Sequence, residues 1–392
     1  MKIAYILNSS KALGGASKAF KTMLYGLMQQ GVEPIVVMPG KGQLYDELSH
    51  QGIKCHATTY RANTFPRANS LKDIILFFPR LFARRITDRL ARRAVLQWLK
   101  SEHVELIHSN SGVVDIGFHV SRALRIPHVY HIREYADLDF GYHYYPSKLS
   151  FRRQLDAKQS YSICITKDIQ RHHGQNKSSR SRVIYDGIRP AIDSMPQAKP
   201  EDYFLFAGRI ETTKGLDILL KAYALNQRKG LTLLPLKVAG RVSEPDYYAT
   251  ILQFLKDNGL EEVVTLLGEC SDINTLMSQA RALVVPSRHE GFGLCMPEAM
   301  FNGCLVLAHD TAGTHEQLEN GKALMGSDIA LRFNSSEQLA ELLDQVTNAS
   351  ADEYAPMVRK AFDTVNQLYT TEKHIRQVYD FYNDIIKETQ SK

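Results

Sequence analysis

The sequence predicts an α/β protein of two doubly wound domains facing across a cleft. Three observations carry this. Short apolar, β-branched runs alternate with longer helical patterns, as expected of parallel sheets covered by helices on both faces. The alternation comes as two series, one closing at VIYDGI (183–188) and the other opening at YFLFAGRI (203–210). The chain has 392 residues, more than one core usually holds.

In the first series the strands expected are KIAYILN, EPIVVMP, VELIHS, HVYHI, YSICIT and RVIYDGI. The second series offers YFLFAGRI, LPLKVAG, VVTLLG, ALVVPS and CLVLAHD. Between them RPAIDSMPQAKPED, residues 189–202, holds three prolines without apolar periodicity and reads as the linker. The domains expected are therefore 1–195 and 196–371, with a terminal helix at 372–392. Ligands of open parallel sheets bind beyond the carboxyl ends of the strands, so the chemistry belongs in segments that follow strands.

Composition excludes several classes. Hydrophobic residues at 44% and charged ones at 23% rule out disordered and collagen-like chains. Five scattered cysteines, Cys55, Cys164, Cys270, Cys295 and Cys304, read as reduced thiols of a cytoplasmic protein rather than a disulfide frame or zinc site. MKIAYILNSS is a first strand and not a signal peptide, and no run of eighteen apolar residues spans a membrane. Charge is uneven: residues 1–195 carry 29 Lys and Arg against 15 Asp and Glu, and 196–392 carry 19 against 27. A basic first half fits nucleic acid, an anionic membrane or a phosphorylated acceptor.

Three post-strand segments hold candidate chemistry. In NSSKALGGASKAF, Gly14 and Gly15 precede a helix, where backbone N–H groups and the helix dipole favour an anion. A simple tight turn explains them equally well, and the spacing is neither GxGxxG nor GxxxxGK[ST]. In AGRIETTKGLDILLKAY, Arg209 and Lys214 bracket a turn before Gly215 and suit a diphosphate, or else form a solvated charged loop. In RHEGFGLCMPEAM, Glu290 and Glu298 lie eight positions apart, with a helix expected near Met296 to Glu298 and Pro297 in its first turn. Two such carboxylates suit an acid and base, a metal site or a clamp on sugar hydroxyls. Only His289 is near as a further ligand, so no metal is expected.

In this order and spacing, these segments resemble the retaining glycosyltransferases of the family 4 type, with the two-domain GT-B fold of Rossmann-like halves. The likeness rests on AGRIETTKG, the Glu290 to Glu298 element with its internal GFGL, the following PEAM, VIYDGI, and the glycine pair. It implies an acceptor-side first domain, a nucleotide-sugar-binding second domain, and a terminal helix packing back on the first. It implies that Arg209 and Lys214 grip the diphosphate of a UDP- or GDP-sugar and that Glu298 meets the ribose. Glu290, with Gly291, Phe292, Gly293 and Leu294, would bind the transferred sugar, while Gly14 and Gly15 approach the phosphate. His131 matches a position near the reacting sugar; a hydrogen-bonded structural histidine is the plainer alternative. Glu316, in HDTAGTHEQLENG, touches the donor or caps a helix that starts near Thr314. Asp186 stands where the family usually has asparagine, and the aromatic-rich HIREYADLDFGYHYY (131–145) departs from the common pattern and is placed at the acceptor site.

Sugar transfer passes through an oxocarbenium-like centre while negative charge grows on the leaving diphosphate. Arg209 and Lys214 would meet that charge. The resemblance implies attack on the face the phosphate leaves, the phosphate taking the acceptor's proton, with no protein nucleophile and no cofactor.

The remaining feature is PRLFARRITDRLARRAVLQWLKSEH, residues 79–103. A helical wheel places Arg85, Arg89, Arg92, Arg93 and Lys100 on one side and Phe82, Ile86, Leu90, Ala94 and Trp98 on much of the other. The apolar side is expected to pack on the sheet, leaving the basic side to solvent or to an anionic membrane carrying a lipid-linked acceptor. The expected protein is a cytoplasmic glycosyltransferase, peripheral at the inner face of the plasma membrane, acting on a glycan or lipid-linked acceptor in surface polysaccharide synthesis. An epimerase or hydrolase on the same fold and a non-catalytic two-domain sugar binder are the alternatives. Nucleic acid is not expected, since the basic residues lack aromatic interleaving.

Overall fold

Strands buried on both faces read as near-continuous apolar runs, whereas edge strands need not. The computed structural model describes residues 1–12, 14–66, 70–196, 201–350 and 352–390. They form two units: residues 1–187 with 371–392, and residues 188–370. The linker expected at 189–202 includes residues 197–200, outside the described residues. Its earlier part is strapped into the second unit, with the Ile192 N–H donating to Asn366 Oδ1 and Asn366 Nδ2 donating to Ile192 O.

The first unit holds β1 Lys2–Ile6, β2 Glu33–Met38, β3 Lys54–Ala57, β4 Leu106–Ser109, β5 His128–Ile132, β6 Ser160–Cys164 and β7 Ser181–Val183. All pairs are parallel, in the order β3-β2-β1-β4-β5-β6-β7. Side chains alternate across the pleat. Ile3 and Tyr5 enter one core with Phe20 and Leu24 of helix Gly15–Gln29 and Val378, Phe381 and Tyr382 of helix Thr371–Gln390. Ala4 and Ile6 enter the other with Ala91, Val95 and Leu99 of helix Phe77–Glu102. Each large apolar side chain so buried contributes about 1.5–3 kcal/mol. The terminal helix therefore belongs to the first unit, and it crosses helix Gly15–Gln29 closely: a Cβ on Gly26 would lie 2.0 Å from Ile375 Cδ1.

The second unit holds β8 Phe204–Ala207, β9 Leu236–Ala239, β10 Val264–Gly268, β11 Ala282–Val285, β12 Val306–His309 and β13 Leu331–Phe333, parallel in the order β10-β9-β8-β11-β12-β13. Two strands escape the sequence reading, β3 and β13. Both are short edge strands, and KCHA in β3 has no continuous apolar run. The strand read at RVIYDGI is only three residues long and is likewise an edge.

Helix Phe77–Glu102 corrects an expectation. Its packed side is Ala91, Val95 and Leu99, with a buried Arg84 that donates to Thr64 O and Asn63 Oδ1, while Phe82, Ile86 and Leu90 face solvent. The wheel contains two apolar stripes, and the one that fits against the flat sheet face is the smaller. Trp98 stacks on His56 with ring centroids 4.9 Å apart. Arg85, Arg89, Arg93 and Lys100 are exposed, but Arg92 is ion-paired with Asp115 at 3.0 Å. Among the described residues no helix is long and apolar enough to cross a membrane.

Candidate functional site

In a doubly wound sheet the strand order reverses beside the first strand, and the crevice there receives ligands. In the second unit this point lies between β8 and β11, which are hydrogen-bonded neighbours. The segments leaving these two strands carry Arg209 and Lys214, and Glu290.

They meet at Gly215. Its φ of 68° lies in the left-handed region, and a Cβ there would stand 2.1 Å from Pro286 O. Only glycine allows that approach. The short helix Thr212–Lys214 just before it sets Lys214 Nζ 2.5 Å from Glu290 Oε1, and Ser287 Oγ donates to the same oxygen at 2.9 Å. Burial pulls the Lys214 ammonium pKa down, but the Glu290 carboxylate outweighs it and leaves the value raised; Arg209 is close enough to oppose this slightly. Arg209 pairs with Glu211 at 2.8 Å, and Thr213 Oγ1 donates to Glu211 Oε1.

Sequence reasoning missed the residue that binds the two segments together. Arg288 donates to both oxygens of Asp217, at 2.8 and 2.6 Å, and to Thr212 O at 2.7 Å. Its own N–H donates to Thr213 O. Arg288 immediately precedes His289 and Glu290, but nothing local says that it faces a helix seventy residues away.

The GFGL loop is held from behind. The Gly313 N–H donates to Glu290 O at 3.0 Å, and a Cβ on Gly313 would stand 2.6 Å from Gly291 O. Gln317 Nε2 donates to Phe292 O and reaches Gly293 O at 3.5 Å. Phe292 is buried edge-on against Tyr369, with centroids 5.2 Å apart. Leu294 precedes helix Cys295–Phe301, and its carbonyl accepts the Glu298 N–H, which places Glu298 in the first turn. The half-buried Cys295 thiol is pushed up to about 12 by desolvation and by the Glu290 carboxylate.

Glu316 is not a capping acid. The helix runs Ala312–Met325 with no side-chain cap and no acid in its first turn; the Thr314 hydroxyl donates back to His309 O or Thr311 O, and Glu316 is buried beyond that turn.

In the first unit, Gly14 (φ 110°) is exposed and opens helix Gly15–Gln29, whose first turn has no side-chain cap and no acid. Leu13 lies outside the described residues. His131, at the end of β5, is fully buried between His108 and His374, with ring centroids at 5.2 and 6.1 Å, and its Nδ1 lies 3.5 Å from Arg133 Nη2. In this structure its contacts are other side chains of the unit. Burial holds all three imidazoles below their usual pKa, with Arg133 adding to the effect.

Asp186 is buried and ion-paired with Arg133, which also donates to Asn110 Oδ1. The Asp186 charge is thus matched within the same unit. In the aromatic segment Tyr135 and Tyr144 are core residues, Tyr144 stacking on Phe151 at 4.3 Å, while Phe140 stays exposed. Glu134 was overlooked: it is buried, accepts from Ser111 Oγ at 2.5 Å and from the Val113 N–H, and desolvation raises its pKa. Among the described residues no group of three or more His, Cys, Asp or Glu side chains is placed to hold a metal ion.

Comparison with known proteins adds the family. Residues 190–363 match Glycosyl transferases group 1, and residues 13–191 match Glycosyltransferase Family 4. The chain is 29% identical over 197 residues to the O-antigen chain mannosyltransferase RfbU of Salmonella typhimurium, covering 49% of this chain and 52% of that enzyme. It therefore spans about half the length of that relative. It is 25% identical over 290 residues to the uncharacterized glycosyltransferase MJ1178 of Methanocaldococcus jannaschii, covering 73% and 78% of the two chains. In fold it is similar to Anabaena Alr3699/HepE in complex with UDP, with a TM-score of 0.77 at 19% identity over 98% of this chain and 100% of that one. The same Anabaena protein in complex with UDP-glucose gives a TM-score of 0.74. The two family matches together run from residue 13 to 363, and the chain belongs to the group 1, family 4 type of glycosyltransferases with the GT-B fold.

Proposed function

We propose that this glycosyltransferase moves a hexosyl group from a UDP- or GDP-sugar to a glycan or lipid-linked acceptor, with retention of anomeric configuration, in the synthesis of a surface polysaccharide. The observation that carries the reading is the Lys214–Glu290 pair at the switch point between β8 and β11, with Arg209 beside it. The UDP complexes of the Anabaena neighbour and the O-antigen enzyme among the relatives support the donor class and the polysaccharide role.

In this reading the diphosphate takes Arg209 and Lys214 from their carboxylate partners as charge develops on it, stabilisation that a preorganised site supplies without reorganising solvent. Freed from Lys214, Glu290 accepts from hydroxyls of the sugar, together with the backbone of Gly291 to Gly293 and Leu294. Glu298 accepts from the ribose. Glu316 touches the donor. Gly14 and Gly15 present uncapped amides to the phosphate, and His131 stands near the reacting sugar. Two cations supply the charge on which a divalent ion would otherwise act. The basic residues of 79–103 draw the enzyme to an anionic membrane at its cytoplasmic face.

A panel of UDP- and GDP-sugars, screened by thermal stabilisation, tests the donor; a ligand at a hundred times its dissociation constant adds about 2.7 kcal/mol. Turnover with the stabilising donor and a lipid-linked acceptor, with the product's anomeric configuration read by NMR, tests the reaction. Stabilisation by no sugar nucleotide, or an inverted product, overturns the reading.

A further inference from the structure

Of the side of helix Phe77–Glu102 expected to face the sheet, Trp98 packs against the core while Phe82, Ile86 and Leu90 are in solvent. Phe78 is 76% exposed, Phe82 68%, Ile86 47% and Leu90 57%, and the preceding helix Leu71–Ile75 adds Ile74 and Ile75 at 58% and 67%. Isolated exposed apolar residues are ordinary, but a contiguous ridge of this size marks an interaction site. At the start of the ridge Phe77 stacks on Phe65 and meets Phe78 edge-on, and Arg80 pairs with Asp73 of the short helix at 2.6 Å.

Phe78, Phe82, Ile86 and Leu90 recur every fourth residue, as do Arg85, Arg89 and Arg93. At about 100° per residue, each arginine lies about 60° around the helix from the apolar residue three positions before it. All three arginines are exposed. The result is an apolar row with a basic row running beside it, the pattern of a helix that lies in a membrane interface with its apolar side below the headgroups and its cations among them. A second copy of the chain fits less well, because an antiparallel two-fold pairing of this surface would bring one basic row beside the other.

We infer that this ridge inserts into the acyl boundary of an anionic bilayer, while Arg85, Arg89 and Arg93 pair with lipid phosphates. The inference rests on the proposed attraction to an anionic membrane and adds the mode of attachment: insertion, which survives high salt, rather than electrostatic attraction alone, which does not.

The test uses the full chain and vesicles of phosphatidylcholine with and without phosphatidylglycerol. Wild-type protein is expected to sediment with the anionic vesicles at low salt and to stay partly bound at high salt. Phe78→Ser with Phe82→Ser and Ile86→Ser should weaken binding at least about tenfold at both salts, and R85Q/R89Q/R93Q should abolish the preference for anionic lipid. The chain's one tryptophan, Trp98, is packed on His56, so Phe82→Trp adds a distinct reporter. Its fluorescence should be quenched by bromine-labelled acyl chains, with that of Trp98 unaffected.

Wild-type binding that is fully reversed by salt and unchanged by the serine variants overturns insertion and leaves the attraction standing. Protein that stays in the supernatant throughout overturns both. A solution mass twice that of the chain, lost in the serine variant, assigns the ridge to a second copy and overturns the inference. Stabilisation by the donor should be the same in every variant, which separates this test from that of the transfer reaction.

Discussion

Lys214 Nζ lies 2.5 Å from Glu290 Oε1 across seventy-six residues of sequence. The ammonium is thereby held in place, charged and largely buried, before any ligand arrives. Lys214→Ala or Arg209→Ala is expected to lower turnover by about 10²-fold or more with the unit still folded, as when a preorganised charge-stabilising donor is removed. Steady-state kinetics at saturating donor, with circular dichroism as the check on folding, decide it. Near wild-type turnover in both variants would remove the diphosphate assignment.

Gly215 makes that pairing sterically possible. Gly215→Ala should cost about 1–2 kcal/mol for its left-handed backbone and should also push the Lys214 turn away from Pro286. Gly326→Ala is the control, since Gly326 has φ 71° and open space where its Cβ would go. The expected outcome is a loss of stability in both variants but a loss of turnover in the first alone. Equal turnover in the two would show that the close approach does not matter to the site.

Arg133 and Asp186 form a buried pair in the first unit. Asp186→Asn leaves a buried guanidinium uncompensated and should destabilise the fold by on the order of 3 kcal/mol. Arg133→Met combined with Asp186→Leu should recover most of the loss. Denaturant midpoints measure both; an Asp186→Asn variant as stable as wild type would show the pair to be dispensable.

Acid should act on the first unit. Burial lowers the pKa of His108, His131 and His374, brings His128 to about 3 and His173 to about 4, and keeps these rings neutral in the folded unit. The unfolded chain binds those protons first, so stability is lost as pH falls below the ordinary histidine value, by about 1.4 kcal/mol per pH unit for each ring. Arg133, which faces His131, reinforces the trend, and Asp186 opposes it at His374. Melting curves between pH 7 and 5 should show a steep fall that softens in His374→Gln. A flat profile would contradict the burial of these rings.

If Arg209 and Lys214 supply the positive charge at the diphosphate, as proposed, turnover should persist after dialysis against a strong chelator. Complete loss, restored by magnesium or manganese, would show that the donor binds with a metal.

The sequence alone determined the central strands of both sheets, the restart near residue 203, and the segments in which the candidate site lies. These follow from local physics: a buried parallel strand is mostly apolar and β-branched or aromatic, and the loops after such strands show their glycines and charges directly. The edge strands β3 and β13 were illegible because KCHA and LRF are three or four residues long and interrupted by charged or polar side chains. The partnerships came only with the tertiary structure: Lys214 with Glu290, Arg288 with Asp217, Arg133 with Asp186, and Gln317 behind the GFGL loop. In each, the two side chains lie far apart in sequence and are joined by strand order, which local patterns do not encode. The same cause decided helix Phe77–Glu102. Its sequence offers two apolar stripes of equal periodicity, and only the shape of the sheet beneath selected Ala91, Val95 and Leu99 for the core and left Phe82, Ile86 and Leu90 in solvent.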